Sequence, residues 1–259
     1  NKDYEQKIAI SSSTPYETKV ATYLDAIELY GDDTRAYQKL LEAYKDNGVF
    51  GDVESNQFTA EYNAHHETFE KDSADYLDLV YEAGITYFYL YSGGDNTFRT
   101  RVLKSYPYFQ IIRESQVTDY PYKEIAESYY IIGQFYSQYV VNATSVKEPA
   151  KEDYETLLAS LQLCMDNIEN YDYDDAAYIR LTMYREIENL LNDHRKGFAT
   201  TQVEQDSVLS LLQMIVDKTE TLSVTQQISM NLQEDILKSY EEYAQNIERA
   251  YTNTRERSN

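Results

Sequence analysis

Apolar and aromatic positions along the chain recur at spacings of three and four, the period of one helix face. Val20, Tyr23, Leu24, Ile27 and Tyr30 form one such stripe, which Gly31-Asp32-Asp33 breaks. Thr14-Pro15-Tyr16-Glu17 supplies a start for that helix, with Thr14 as cap and Pro15 as its first residue. Thr34 opens the next helix, which carries Tyr37, Leu40, Leu41 and Tyr44 and ends at Gly48. The same period predicts helices over 53–70, 74–92 and 97–114, with Pro107 expected to kink or restart the last. Pro121 opens a helix to about Val141, and Pro149 opens another to about Asn170. Residues 174–195 form the next, and a capping box at Thr201-Gln202-Val203-Glu204 starts one ending near Thr219. The last spans 224–252. Tyr87-Phe88-Tyr89-Leu90-Tyr91 has the composition of a strand, but its helical flanks favour helix. The total is about ten or eleven helices with no sheet.

A pattern repeats among these helices. Tyr37, Leu40, Leu41 and Tyr44 stand at offsets 0, 3, 4 and 7; Val80, Ala83, Gly84 and Tyr87 repeat them, as do Tyr129, Ile132, Gly133 and Tyr136. Tyr178, Leu181, Thr182 and Arg185 repeat them weakly. These offsets share one face, and a small residue such as Gly84 or Gly133 lets a partner helix come close. No long linker interrupts the chain, although Asn142-Ala143-Thr144-Ser145-Val146-Lys147 is its loosest stretch. The reading is one continuous array over 1–259, with units near 15–48, 53–114, 120–170 and 174–219 and a capping helix at 224–252.

The offsets resemble the first helix of the tetratricopeptide repeat, and Ala26 through Gly48 matches its repeat boundary without a gap. Gly31 replaces the family's usual Pro, Leu41 replaces its usual Gly, and the signatures lie further apart than the ~34 residues of a regular repeat. The resemblance implies a degenerate array of antiparallel helix pairs, an αα solenoid. A second resemblance rests on Tyr87 to Asp95, Arg99 to Phe109 and Tyr240 to Tyr251. These stretches resemble the C-terminal region of receptor-type serine/threonine protein kinases of anaerobic Gram-positive bacteria. There, a cytoplasmic kinase and one membrane helix precede a helical domain outside the cell. The start at Asn1 rather than Met is read as that of a processed or excised segment.

Composition sharpens this picture. With 8 Gly and 4 Pro the chain lacks the turns an all-β protein of this size needs. Its 28 Tyr carry much of the apolar content; their hydroxyls suit half-buried positions in thin layers. A net charge of −22 argues against nucleic acid and anionic membrane surfaces and favours a basic protein or peptide partner. Arg99, Arg101 and Lys104 form a local exception, expected to pair with neighbouring acids. No segment is apolar enough to insert in a membrane.

Catalytic signals are weak throughout. Cys164 lies in an apolar helical run and reads as core. His65 and His66 point apart and read as a solvated helix face rather than a metal site. No phosphate loop or kinase motif occurs, and no catalytic residue, metal or cofactor is assigned. The tetratricopeptide resemblance implies a ligand groove on the first helix of each pair. It falls at Arg35, Gln38, Glu42 and Lys45; at Asp78, Tyr81, Ile85 and Phe88; and at Glu127, Tyr130, Gln134 and Ser137. The favoured reading is a non-catalytic binding or sensing module on the extracytoplasmic face of a bacterial membrane. The alternatives are an intracellular scaffold or chaperone in the cytoplasm and, further off, an α/α-toroid hydrolase.

Overall fold

Among the described residues, helices form over the spans that the period predicts as far as residue 170, and one further, unpredicted helix precedes them. The computed structural model describes residues 2–142, 145–146 and 151–172, with short runs and single positions between 176 and 245. The chain forms two compact units, residues 1–137 and 138–259.

The first unit runs through α1 (Lys2–Ile8), α2 (Tyr16–Leu29), α3 (Thr34–Asn47), α4 (Asp52–His65), α5 (Ala74–Leu90), α6 (Phe98–Glu114) and nearly all of α7 (Lys123–Tyr139). A short 3-10 turn, His66–Thr68, extends α4. Side chains start most of these helices. Asp33 caps α3 by accepting from the Arg35 amide, Ser73 caps α5 through the Tyr76 amide, and Thr97 caps α6 through the Thr100 amide. Gly48 closes α3 at φ 65, a left-handed backbone that glycine adopts without strain. Two details differ from the sequence reading. Pro15 is itself the extended cap of α2, and Thr14 is drawn into a turn with Ser11. α6 runs through Pro107 without restarting, with that proline on an exposed face.

The repeated offsets are core. All twelve residues of the first three signatures are buried, on α3, α5 and α7. Burying a side chain such as Leu40 contributes roughly 1.5–3 kcal/mol. The two small positions act as anticipated. A Cβ on Gly84 would lie 2.7 Å from the Phe109 ring of α6, and one on Gly133 would run into Tyr106 of the same helix. α5 and α6 therefore approach closely, α2 packs on α3, and α3 lies beside α5.

Tyrosine fills the core more deeply than a half-buried layer would allow. Tyr37, Tyr44 and Tyr129 are fully buried, so their hydroxyls find protein partners in place of water. Tyr37 donates to the Gly31 carbonyl at 3.1 Å, Tyr44 to Gln57 at 2.9 Å, and Tyr129 shares a 2.8 Å bond with Tyr89.

In the second unit the no-sheet expectation has one local exception. Val140–Asn142 (β1) pairs antiparallel with Ser145–Val146 (β2). The β-branched Val140, Val141 and Val146 favour extended backbone here. Then α8 (Lys151–Asn170) buries Leu161, Cys164, Met165 and Ile168, with Cys164 in the core as its apolar run implied. Arg180 closes its C-terminal end by donating to the carbonyls of Ile168, Glu169 and Tyr171. Glu169 accepts from Tyr184 at 2.7 Å and pairs with Lys218 at 2.8 Å. The described positions between 176 and 187 and between 206 and 218 are helical. The fourth signature, His194 and the helix at 224–252 lie outside the described residues, apart from a helical position at Gln245.

Candidate functional site

Two groove positions of α3 meet α5 along one seam, at residues outside the groove set read for that helix. Gln38 on α3 donates to the Asp75 carbonyl at the start of α5, at 3.3 Å. One turn pair further, Lys45 bonds Glu82 at 2.5 Å. Glu42 accepts from Lys39 at 2.6 Å, a bond that holds the lysine protonated more firmly than usual. Arg35 turns away from the seam. It binds Asp33 and Glu5 and lies over the Tyr4 ring, so it fastens α1 to α3. Burial pushes the Asp33 carboxyl up, but its bonds to Arg35 outweigh that and hold it below the usual range.

The remaining candidates separate into three settings. Asp78 accepts from the Tyr120 hydroxyl at 3.0 Å; its carboxyl is raised, by burial first and by the neighbouring charges of Asp75 and Glu82. Tyr81 is buried and stacks on Tyr122 with centroids 4.5 Å apart, while Ile85 is half-buried. Phe88 is 2% exposed and packs edge-on to Phe98 and Tyr129, so it belongs to the core. Glu127 and Tyr130 face α6: Arg113 approaches Glu127 at 3.5 Å and lies over the Tyr130 ring, which also stacks on Tyr106. Gln134 is half-buried and Ser137 exposed. The structure therefore joins Gln38 and Lys45 of α3 to α5, holds Glu42 on Lys39 and Asp78 on Tyr120, and directs Glu127 and Tyr130 to α6.

Beside the seam, Glu42 and Lys39 also line a cleft of about 320 Å³ with Asp46, Lys19, Tyr23 and Ser11. Opposite charges share this cleft, so it selects no single ligand charge.

The histidines depart from the solvated face read from the sequence. His65 is half-buried, and its ring occupies the space where a Cβ on residue 31 would sit. That contact is the physical reason for glycine at position 31. His66 stacks on Tyr62 with centroids 5.6 Å apart and meets Glu67 at 2.9 Å. Among the described residues no group of three His, Cys, Asp or Glu could hold a metal ion. Among them also, no helix is long and apolar enough to cross a membrane.

The basic patch follows its expectation in part. Arg99 lies close enough to Asp95 to help hold that carboxyl below its usual range, after the Thr100 hydroxyl bond that counts most. Arg101 rests over the Phe98 ring, and Lys104 rests over the Tyr91 and Tyr87 rings. Lys104 also lines a cleft between α4 and α6 that the sequence reading missed. The available signal was periodicity: Thr59 and Asn63 share one face of α4, and Lys104, Tyr108 and Ile111 share one face of α6.

Comparison with known proteins returns no match: no family model fits the chain, and no curated protein or solved structure matches it significantly.

Proposed function

We propose that this chain is a non-catalytic binding and sensing module, the extracytoplasmic part of a membrane-anchored serine/threonine protein kinase. Its partner is a peptide or protein presenting basic side chains. The observation that carries the reading is the row of signature helices. α3 and α5 lie side by side with their signature residues buried, and polar groups remain along their seam. Helical repeats use such rows as extended binding surfaces. Glu82 provides negative charge there, within a chain of net charge −22. A basic side chain entering the seam would compete with Lys45 for Glu82. Capture would act on the kinase by changing helix packing or association.

The test is a titration of matched basic and acidic peptides at low and high salt. Basic peptides should bind tighter, with the preference fading as salt screens the field over ~8 Å. Tighter binding of the acidic set would refute the reading. The kinase link is tested separately by the gene sequence upstream of Asn1. It requires a ~20-residue apolar segment and a kinase domain before it.

A further inference from the structure

The α4–α6 cleft measures about 300 Å³ and contains none of the groove positions. Its wall is aromatic. Tyr87 and Tyr108 stack with centroids 5.6 Å apart at 13°, and Tyr62 stands edge-on to Tyr108 at 5.6 Å. Pro107 and Ile111 add apolar surface. The hydroxyls in this wall are already engaged: Tyr62 bonds Tyr76 at 2.9 Å, and Tyr87 bonds Ser55 at 3.0 Å and Thr59 at 2.8 Å. The rings are thereby held in place, with only small parts of Tyr62, Tyr87 and Tyr108 left exposed, so the accessible apolar surface is that of exposed Pro107 and half-buried Ile111.

One cation stands in it. Several cations of this unit find oxygen partners: Arg35, Lys39, Lys45 and Arg113 meet carboxylates, Lys123 meets the Ser115 and Val117 carbonyls, while Arg101, like Lys104, rests on a ring. Lys104 pairs with no carboxylate among the described residues, although the chain carries 45 acids. Its ammonium lies 4.7 Å from the Tyr91 ring centre and 6.0 Å from that of Tyr87. The acid on which its charge acts is Asp52, whose Oδ1 accepts from the Tyr91 hydroxyl and Oδ2 from the Gly94 amide at 2.9 Å; Lys104 adds to the bonds that hold this carboxyl below its usual range. Lys104 is half-buried as a residue, and an ammonium held beside aromatic faces can take an anion on its open side. Asn63 on the rim adds an amide with no partner among the described residues.

We propose that this cleft binds a small aromatic carboxylate, with the carboxylate on Lys104 and the ring against Pro107, Ile111 and the exposed margins of Tyr62 and Tyr108. The size fits: an apolar cavity of ~150 Å³ takes benzene, so this cleft has room for one ring and its charged group. The inference is independent of the peptide reading, because the two sites share no residue.

The experiment titrates the full chain with benzoate and with benzamide, its neutral counterpart, by calorimetry. Benzoate should bind at least ~10-fold tighter than benzamide, a gap that narrows in high salt. Lys104→Met keeps the stem over the tyrosines and removes the charge; it should bring benzoate down to the benzamide level and leave benzamide unchanged. Lys104→Arg should keep the preference. Circular dichroism checks that each variant folds. If Lys104→Met does not fold, the wild-type ratio, its salt dependence and Lys104→Arg still decide. No benzoate binding up to about 10 mM, equal binding of the two probes, or a preference that survives Lys104→Met would each overturn the proposal.

Discussion

Gly84→Ala places two opposed effects on one atom. Alanine in a helix interior gains ~0.5–1 kcal/mol over glycine, because less backbone freedom is lost on folding. The new Cβ, however, would lie 2.7 Å from Phe109 Cζ, 2.8 Å from Cε1 and 3.1 Å from Cε2. Carbon contacts are ordinarily ~3.5–4.0 Å, so the ring must retreat by most of an ångström. Its room is limited: Phe109 is fully buried, stacks on Tyr129 at 4.6 Å and meets Tyr81 edge-on at 6.3 Å. Overpacking of this kind costs ~1–3 kcal/mol and outweighs the propensity gain. The expected net loss is about 1 kcal/mol. Urea denaturation should show a lower midpoint with an unchanged slope. Hydrogen exchange at α5 and α6 amides would place the loss in the first unit. Phe109→Leu in the same chain removes the colliding ring atoms, so the pair should couple by ~1 kcal/mol in a double-mutant cycle. A Gly84→Ala variant more stable than the parent would mean that propensity acts alone, and that α5 and α6 are not in contact there.

Three further outcomes follow from the same packing. Tyr87→Phe strips the partner shared by Ser55 and Thr59 and should cost about 1–3 kcal/mol by denaturation; a loss under ~0.5 would show the hydroxyl network to be idle. Lys45→Ala breaks a part-exposed ion pair and should cost less than about 1 kcal/mol in thermal unfolding, so a loss above ~2 would mean the pair clamps α3 to α5. Burial raises the phenols of Tyr37, Tyr44 and Tyr108, and the bond to Asp52 pushes Tyr91 up to about 12. The unfolded chain ionises near ~10, so this stabilisation is complete below pH ~10 and is lost as pH rises towards 12. The phenolate absorbance of these buried rings should appear together with loss of helix, and absorbance of all 28 tyrosines completed at ordinary pH with helix intact would contradict the burial.

The signature residues were legible because helical period reports burial directly: a face with Tyr37, Leu40, Leu41 and Tyr44 has only one stable place. Gly84 and Gly133 were legible for the same reason, since a glycine on a buried face needs a neighbour. The groove was only partly legible. Whether a residue beside the core faces solvent or the next helix depends on how the helices are registered. Glu127 and Tyr130 met α6 where Gln38 and Lys45 met α5. Pattern offsets carry no information on that register. His65 shows the same limit: the space it fills was made by Gly31, on a different segment. The Val140–Asn142 pairing went unread because its partner strand is two residues long, too short for a period to register.

The tyrosine core links the fold to the cleft. A leucine core could close the gap between α4 and α6, because branched aliphatic chains adapt and carry no hydroxyl to satisfy. Tyr62, Tyr87 and Tyr108 cannot. Tyr62 is tied to Tyr76 and Tyr87 to Ser55, and the stacking of Tyr108 on Tyr87 fixes the third ring. α4 is therefore held off by whole rings, whereas α5 and α6 meet through glycine at Gly84. The interval that remains is a cleft whose wall is set before any ligand arrives, and a preorganised wall loses less entropy on binding. This makes the cleft sensitive to a change that touches no ligand. Tyr76→Phe should free the Tyr62 hydroxyl, loosen its ring and weaken benzoate while leaving Lys104 in place. If binding is unchanged when the Tyr62 ring is shown by NMR to be mobile, then the cation alone carries the affinity and the aromatic wall contributes only to the fold.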